Sequence, residues 1–143
     1  MATKTRSAES VWNGGGKGGQ GKLTTPSGTL NAVPYALGMR FKDDPGTNPE
    51  ELVAAAHAGC FNMALAVALD GAGHAPEELK TTANVTIEQE DGGWRVVRSA
   101  LELTGKVPGM SAEEFQKAAE GAKAGCPISK LLNAEITLKA TLA

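Results

Sequence analysis

The stretch NPEELVAAAHAGCFNMALAVAL (48–69) decides the fold. Asn48 is a helix-capping residue type, Pro49 suits a first helical position, and Glu50 and Glu51 favour the positive end of the helix dipole. The helix predicted here runs almost five turns on alanine and aliphatics, and DGAG (70–73) breaks it. A helix apolar on all sides must be covered on all sides. A chain of 143 residues can cover one face with its own sheet. Alanine and Gly59 would let another backbone approach the rest, and a two-fold partner is the commonest cover among soluble oligomers. The pattern therefore predicts an obligate homodimer with this helix at its centre.

The remaining elements read outward from that helix. On the N-terminal side, ESVWN (9–13) reads as a short strand and GGGKGGQG (14–21) as a flexible connection. No Gly-Lys-Ser/Thr ending follows the glycines, so a phosphate loop is excluded. KLTTPSGTL (22–30) reads as strand, turn and strand, and YALGMRF (35–41) as a third strand candidate. On the C-terminal side, TTANVTIEQE (81–90) and WRVVRSALELTGKV (94–107) form a hairpin about Asp91-Gly92-Gly93. Ser111 caps a helix that Gly125 closes, CPISKLL (126–132) starts a short helix at Pro127, and AEITLKATL (134–142) alternates as a last strand. Short connections dominate, which predicts an α+β fold with antiparallel sheets in one domain, 1–143.

Net charge is −2 and no basic stripe is present, which argues against nucleic acid. The polar N-terminus lacks an apolar signal segment. Residues 52–69 are the one candidate membrane span, but they carry His57 and Asn62 and draw much of their apolarity from alanine. No membrane partner and a cytoplasmic location are expected.

Two cysteines carry the chemistry. Cys60 shares a stripe with Ala56, Met63, Ala64 and Val67. Burial there disfavours its thiolate, and it lies too deep in its helix to gain from the helix dipole. Cys126 sits at a helix start, where backbone amides stabilise negative charge, so the residues alone make it the better thiolate. Two single thiols in different settings fit an attacking and a resolving pair, although a 66-residue separation does not show that they meet. Rival readings are inert core cysteines, a zinc site of His57, Cys60 and Cys126 or His74, and a His57–Cys60 base–nucleophile pair.

The motifs GTNPEELVAAAHAGCFNMALA (46–66) and KAGCPISKLLNAEITL (123–138), with Trp12, SGTLNAVPYALGMRF (27–41) and VPGMSAEEF (107–115), closely resemble the osmotically inducible protein C (OsmC) family. This family is related to the organic hydroperoxide resistance proteins. The resemblance implies an intertwined dimer with sites at the subunit interface. It also implies a thiol-dependent peroxidase acting on organic hydroperoxides and more weakly on hydrogen peroxide. By resemblance Cys60 is the peroxidatic cysteine and Cys126 the resolving one, reversing the order read from the residues. Arg40, near the end of the third strand candidate, would lower the Cys60 pKa and hold the hydroperoxide oxygens. Glu50 would orient Arg40, with Glu51 able to exchange roles. The reductant implied is an external dithiol such as dihydrolipoamide, and no cofactor or metal is expected. Ala56, Phe61, Met63 and Met39 would line an alkyl pocket. The alternative is a non-enzymatic module that binds metal or an apolar ligand.

Overall fold

Strict alternation along 99–107 builds the larger half of the molecule. Ser99, Leu101, Leu103, Gly105 and Val107 are buried, while Glu102, Thr104 and Lys106 between them are exposed. That pattern suits a strand with one face on a core and one in water. The structure, a computed structural model, describes residues 2–143. Its order is β1 (Glu9–Asn13), β2 (Gln20–Thr24), β3 (Val33–Tyr35), α1 (Leu37–Phe41), α2 (Pro49–Gly71), β4 (Glu78–Glu90), β5 (Gly93–Lys106), α3 (Ala112–Gly125), α4 (Pro127–Leu131) and β6 (Glu135–Leu142). The chain divides into two compact units, residues up to Pro49 and residues from Glu50 onward.

In the first unit β1, β2 and β3 form an antiparallel sheet, with Glu9 opposite Thr24 and Gly21 opposite Tyr35. The Trp12 and Tyr35 rings pack with centroids 5.5 Å apart, and a side chain at position 21 would run into both. The third strand candidate is corrected here. Pairing stops at Tyr35, and Leu37–Phe41 form one short helix that carries Arg40. Seven residues are too few for alternation and helical spacing to be told apart. The Asn48 amide donates to the Met39 carbonyl at 3.1 Å, supplying a partner to one backbone group at the end of α1.

In the second unit β4 and β5 pair antiparallel over their whole lengths, and β6 pairs with β5 in parallel. The parallel pair departs from the antiparallel expectation. Residues 107–134 hold both α3 and α4, so the chain returns by a crossover rather than a hairpin. One buried cluster joins Leu101 and Leu103 of β5 with Phe61, Leu65 and Leu69 of α2 and Phe115, Ala119 and Ala122 of α3. The α2 contribution repeats every four residues from His57 through Phe61, Leu65 and Leu69, a single helical stripe. A capping box at Ser111 and Glu114 starts α3, as the sequence predicts.

Length and composition alone would let α2 cross a membrane. Its buried stripe instead belongs to the core of the second unit. The polar groups in its middle are satisfied within that unit, Asn62 by the Leu79 carbonyl at 3.2 Å and the Thr81 hydroxyl at 2.5 Å, and His57 as described below. The opposite face stays uncovered within the subunit, with Met63 73% and Val67 74% exposed.

Candidate active site

Helix α2 carries His57 and presents Cys60 about one turn later. α4 begins at Cys126, which closes α3 and serves as the N-cap of α4 at the same time. The fold brings the two sulfurs to 2.9 Å across 66 residues of sequence. Both are free thiols. Cys60 is half-buried and Cys126 is 0% exposed. The burial expected of the thiol at position 60 is thus only partial, and the fully buried thiol is Cys126. A molecule arriving from solvent meets Cys60 first.

Their electrostatics run the other way. Burial pushes the Cys60 thiol up. The hydrogen bond with Cys126 and that residue's charge add to the effect, against a smaller pull down from the Ile128 amide. Cys126 also pays for its burial, but hydrogen bonds from the Cys60 thiol, the Ser129 amide and hydroxyl, and the Ile128 amide outweigh that cost and hold it below the ordinary cysteine value. Of the two, Cys126 is therefore the one whose thiolate its own subunit favours. The Ser129 amide lies 3.5 Å from the Cys126 sulfur. Within this subunit the sequence reading of Cys126 as the better thiolate holds.

Behind the sulfurs stands His57, which the sequence offered as a base for Cys60 or a zinc ligand and which the fold gives to two serines instead. His57 is 0% exposed. Its Nδ1 lies 2.6 Å from the Ser99 hydroxyl of β5 and its Nε2 lies 2.7 Å from the Ser129 hydroxyl of α4. Burial pushes its pKa down, so the ring is neutral. Both nitrogens are engaged by serines. Ser99 and Ser129 are 42 and 72 residues away, and no local pattern announces such a pair. The one available signal is the spacing of CPIS, which puts the Ser129 amide at the capping position over the Cys126 sulfur.

Arg40 is an exposed residue of α1 in the first unit, with its guanidinium 5.2 Å from the Phe41 ring centre. Glu50 and Glu51 occupy the first turn of α2. Glu50 precedes Cys60 by ten residues, roughly 15 Å along the helix axis, so it cannot touch the sulfur of its own helix. Of the residues expected to line an alkyl pocket, Phe61 is fully buried in the core while Met63 is exposed. A separate groove of about 650 Å³ runs between α2 and α3. Ala64, Ala68, Met110, Ala118 and Gly121 line it, and neither cysteine does.

The sequence profile of the OsmC-like proteins matches residues 41–141. The chain is 45% identical over 133 residues to a protein of Escherichia coli named peroxiredoxin OsmC, covering 93% of each chain. It is 36% identical over 130 residues to an organic hydroperoxide resistance protein of Xanthomonas axonopodis, covering 88% of each. Among solved structures, an organic hydroperoxide resistance protein of Elizabethkingia anophelis superimposes with a TM-score of 0.68 at 31% identity, over 99% of both chains.

Proposed function

Since the chain belongs to the OsmC-like protein family, we propose that it is a thiol-dependent peroxidase that reduces organic hydroperoxides, and more weakly hydrogen peroxide, with Cys60 and Cys126. The observation that carries this reading is the sulfur pair itself, 2.9 Å apart, with one member reachable from solvent and the other sealed behind it. The Cys60 thiolate attacks the distal oxygen of the hydroperoxide. The O–O bond breaks, the alkoxide takes a proton and leaves as alcohol, and Cys60 becomes a sulfenic acid. The Cys126 thiolate then attacks the Cys60 sulfur. The S–O bond breaks, hydroxide takes a proton to become water, and the disulfide forms. An external dithiol of the dihydrolipoamide class returns both sulfurs to thiols and becomes a disulfide itself.

Cys60 must carry the charge before it attacks, yet its own subunit favours Cys126. A cation beside Cys60 would reverse that order. Arg40 takes this role in the proposal, with Glu50 orienting its guanidinium and Glu51 able to substitute. The working form is a homodimer, with the complete chain acting as one OsmC-like domain and the site assembled at the subunit interface. A cycle that ends in reduction by an external thiol fits the cytoplasm, where disulfides are transient.

Mass analysis after one equivalent of an alkyl hydroperoxide tests the cycle. The expected product links residues 60 and 126. Turnover with a dithiol is expected to vanish in Cys60→Ser. Cys126→Ser is expected to form the sulfenic acid in a single turnover but no disulfide, because removing Cys126 also removes two of the influences that hold the Cys60 thiol up. Loss of even that first oxidation in Cys126→Ser would overturn the assignment of roles. The groove between α2 and α3 favours a second reading, an apolar-ligand carrier. Stoichiometric uptake of a fatty ligand without peroxide turnover would support it.

A further inference from the structure

Three buried or half-buried side chains beside the sulfurs have no part in the cycle above, and hydrogen bonds join them to one another. Ser99 meets Nδ1 of His57 at 2.6 Å and Nε2 meets Ser129 at 2.7 Å, while the Ser129 amide lies 3.5 Å from the Cys126 sulfur and the Ser129 hydroxyl favours the Cys126 thiolate. The members come from β5, α2 and α4, so the sheet and two helices each fix one link.

We propose that His57 and Ser129 are positioning residues for Cys126: Ser99 locks the imidazole, the imidazole aims the Ser129 hydroxyl, and that hydroxyl holds the resolving sulfur in the state its step requires. The inference rests on the role of Cys126 in the cycle above. A serine hydroxyl has one hydrogen and a neutral imidazole has one N–H, so two arrangements satisfy every link when the proton of a neutral Cys126 lies on its Ser129 side. In the first, Ser99 O–H donates to Nδ1, Nε2–H donates to Ser129, and Ser129 O–H donates to the Cys126 thiolate. In the second, Nδ1–H donates to Ser99, Ser129 O–H donates to Nε2, and the Cys126 thiol donates to Ser129.

The imidazole is neutral in both arrangements, as its burial requires. The hydroxyl therefore changes from donor to acceptor without a buried charge appearing on the ring. With the Cys126 proton on the Ser129 side, the tautomer of His57 follows the protonation of Cys126, and the thiolate arrangement is the one that readies Cys126 to attack the Cys60 sulfenic acid. The titratable group that acts on Cys126 directly is Cys60 of α2. The other contacts are the Ile128 and Ser129 amides and the Ser129 hydroxyl, all from α4.

The test titrates Cys126 alone. In a Cys60→Ser background, ultraviolet thiolate absorbance follows its ionisation, and nitrogen NMR of the His57 ring follows the tautomer. Adding Ser129→Ala is expected to raise the Cys126 midpoint by about one pH unit, the size of a lost hydrogen bond to a charged group. Ser129→Thr keeps a hydroxyl and is expected to restore the midpoint. The protonated ring nitrogen is expected to change from Nδ1 to Nε2 as Cys126 ionises.

With Cys60 present, Ser129→Ala is expected to slow disulfide formation about ten-fold below the midpoint while sulfenic acid formation is not slowed. An unmoved midpoint in Ser129→Ala, or a tautomer that ignores Cys126 ionisation, overturns the inference. Ser129 is half-buried and Thr differs by one methyl, so the decision does not depend on a His57 variant that fails to fold. These titrations need no peroxide. A chain that consumes no hydroperoxide would end the peroxidase reading and leave the relay decided on its own evidence.

Discussion

His57 couples the site to the stability of the fold. Its ordinary value is 6.5, and burial lowers it in the native state. As pH falls through 6.5, the unfolded chain takes up a proton that the native chain does not. The neutral ring's contribution is therefore complete above 6.5 and is lost with acid, down to the lowered native value, at no more than about 1.4 kcal/mol per pH unit for one proton. His57→Gln removes the titrating ring and leaves an amide for the serines. Denaturant midpoints of both proteins between about pH 7.5 and pH 5 check this. The wild type is expected to lose stability more steeply, and the gap between the two to narrow with acid. Parallel slopes would mean that His57 titrates alike in both states. The same residue shows where sequence reading stops. His57 is recognisable as a helix histidine in need of partners, but nothing near it in the chain names Ser99 or Ser129, because both arrive through tertiary packing.

At the scale of elements, periodicity located nearly every helix and strand of the second unit, because those elements are long enough for two or more repeats. The α2 stripe and the β5 alternation are of this kind. The misread Leu37–Phe41 is one turn long and carries no period. The direction of β6 is set by the crossover through α3 and α4 and not by its own alternating residues, which fit a parallel or an antiparallel neighbour equally well. Packing between elements is sharper than either pattern. Gly105 of β5 lies under the Phe115 ring of α3, and a Cβ there would meet three ring carbons inside contact distance. Phe115 is 1% exposed and sits in the common core, so it has little room to retreat. Gly105→Ala is expected to destabilise the fold by about 1–3 kcal/mol through overpacking, read as a lower denaturant midpoint. A cost under a few tenths of a kcal/mol would mean that the β5–α3 layer gives way more easily than its burial implies.

At the scale of the whole molecule, α2 remains the deciding element. Its His57–Leu69 stripe is satisfied inside the subunit, while Ala55, Ala56, Gly59, Met63 and Val67 are exposed. Apolar side chains this open on a long helix mark a surface for association, and a two-fold copy meets such a face with the same face. The proposed dimer would cover it and lend the Cys60 site its cation. A lysine at Met63 or Val67 would face the same lysine of the partner close to the axis, where two buried like charges repel. Within one subunit both positions point to solvent, so the core, and with it the helical circular dichroism, is expected to survive. Sedimentation is therefore expected to show a dimer for the wild type and a folded monomer for Met63→Lys and Val67→Lys. Peroxide turnover should fall with the dimer, while the sulfur pair, built within one subunit, should still cross-link when oxidised by a small disulfide reagent. If the lysine variants sediment as dimers and turn over like the wild type, the open face of α2 is not the interface, and the charge on Cys60 must come from its own chain.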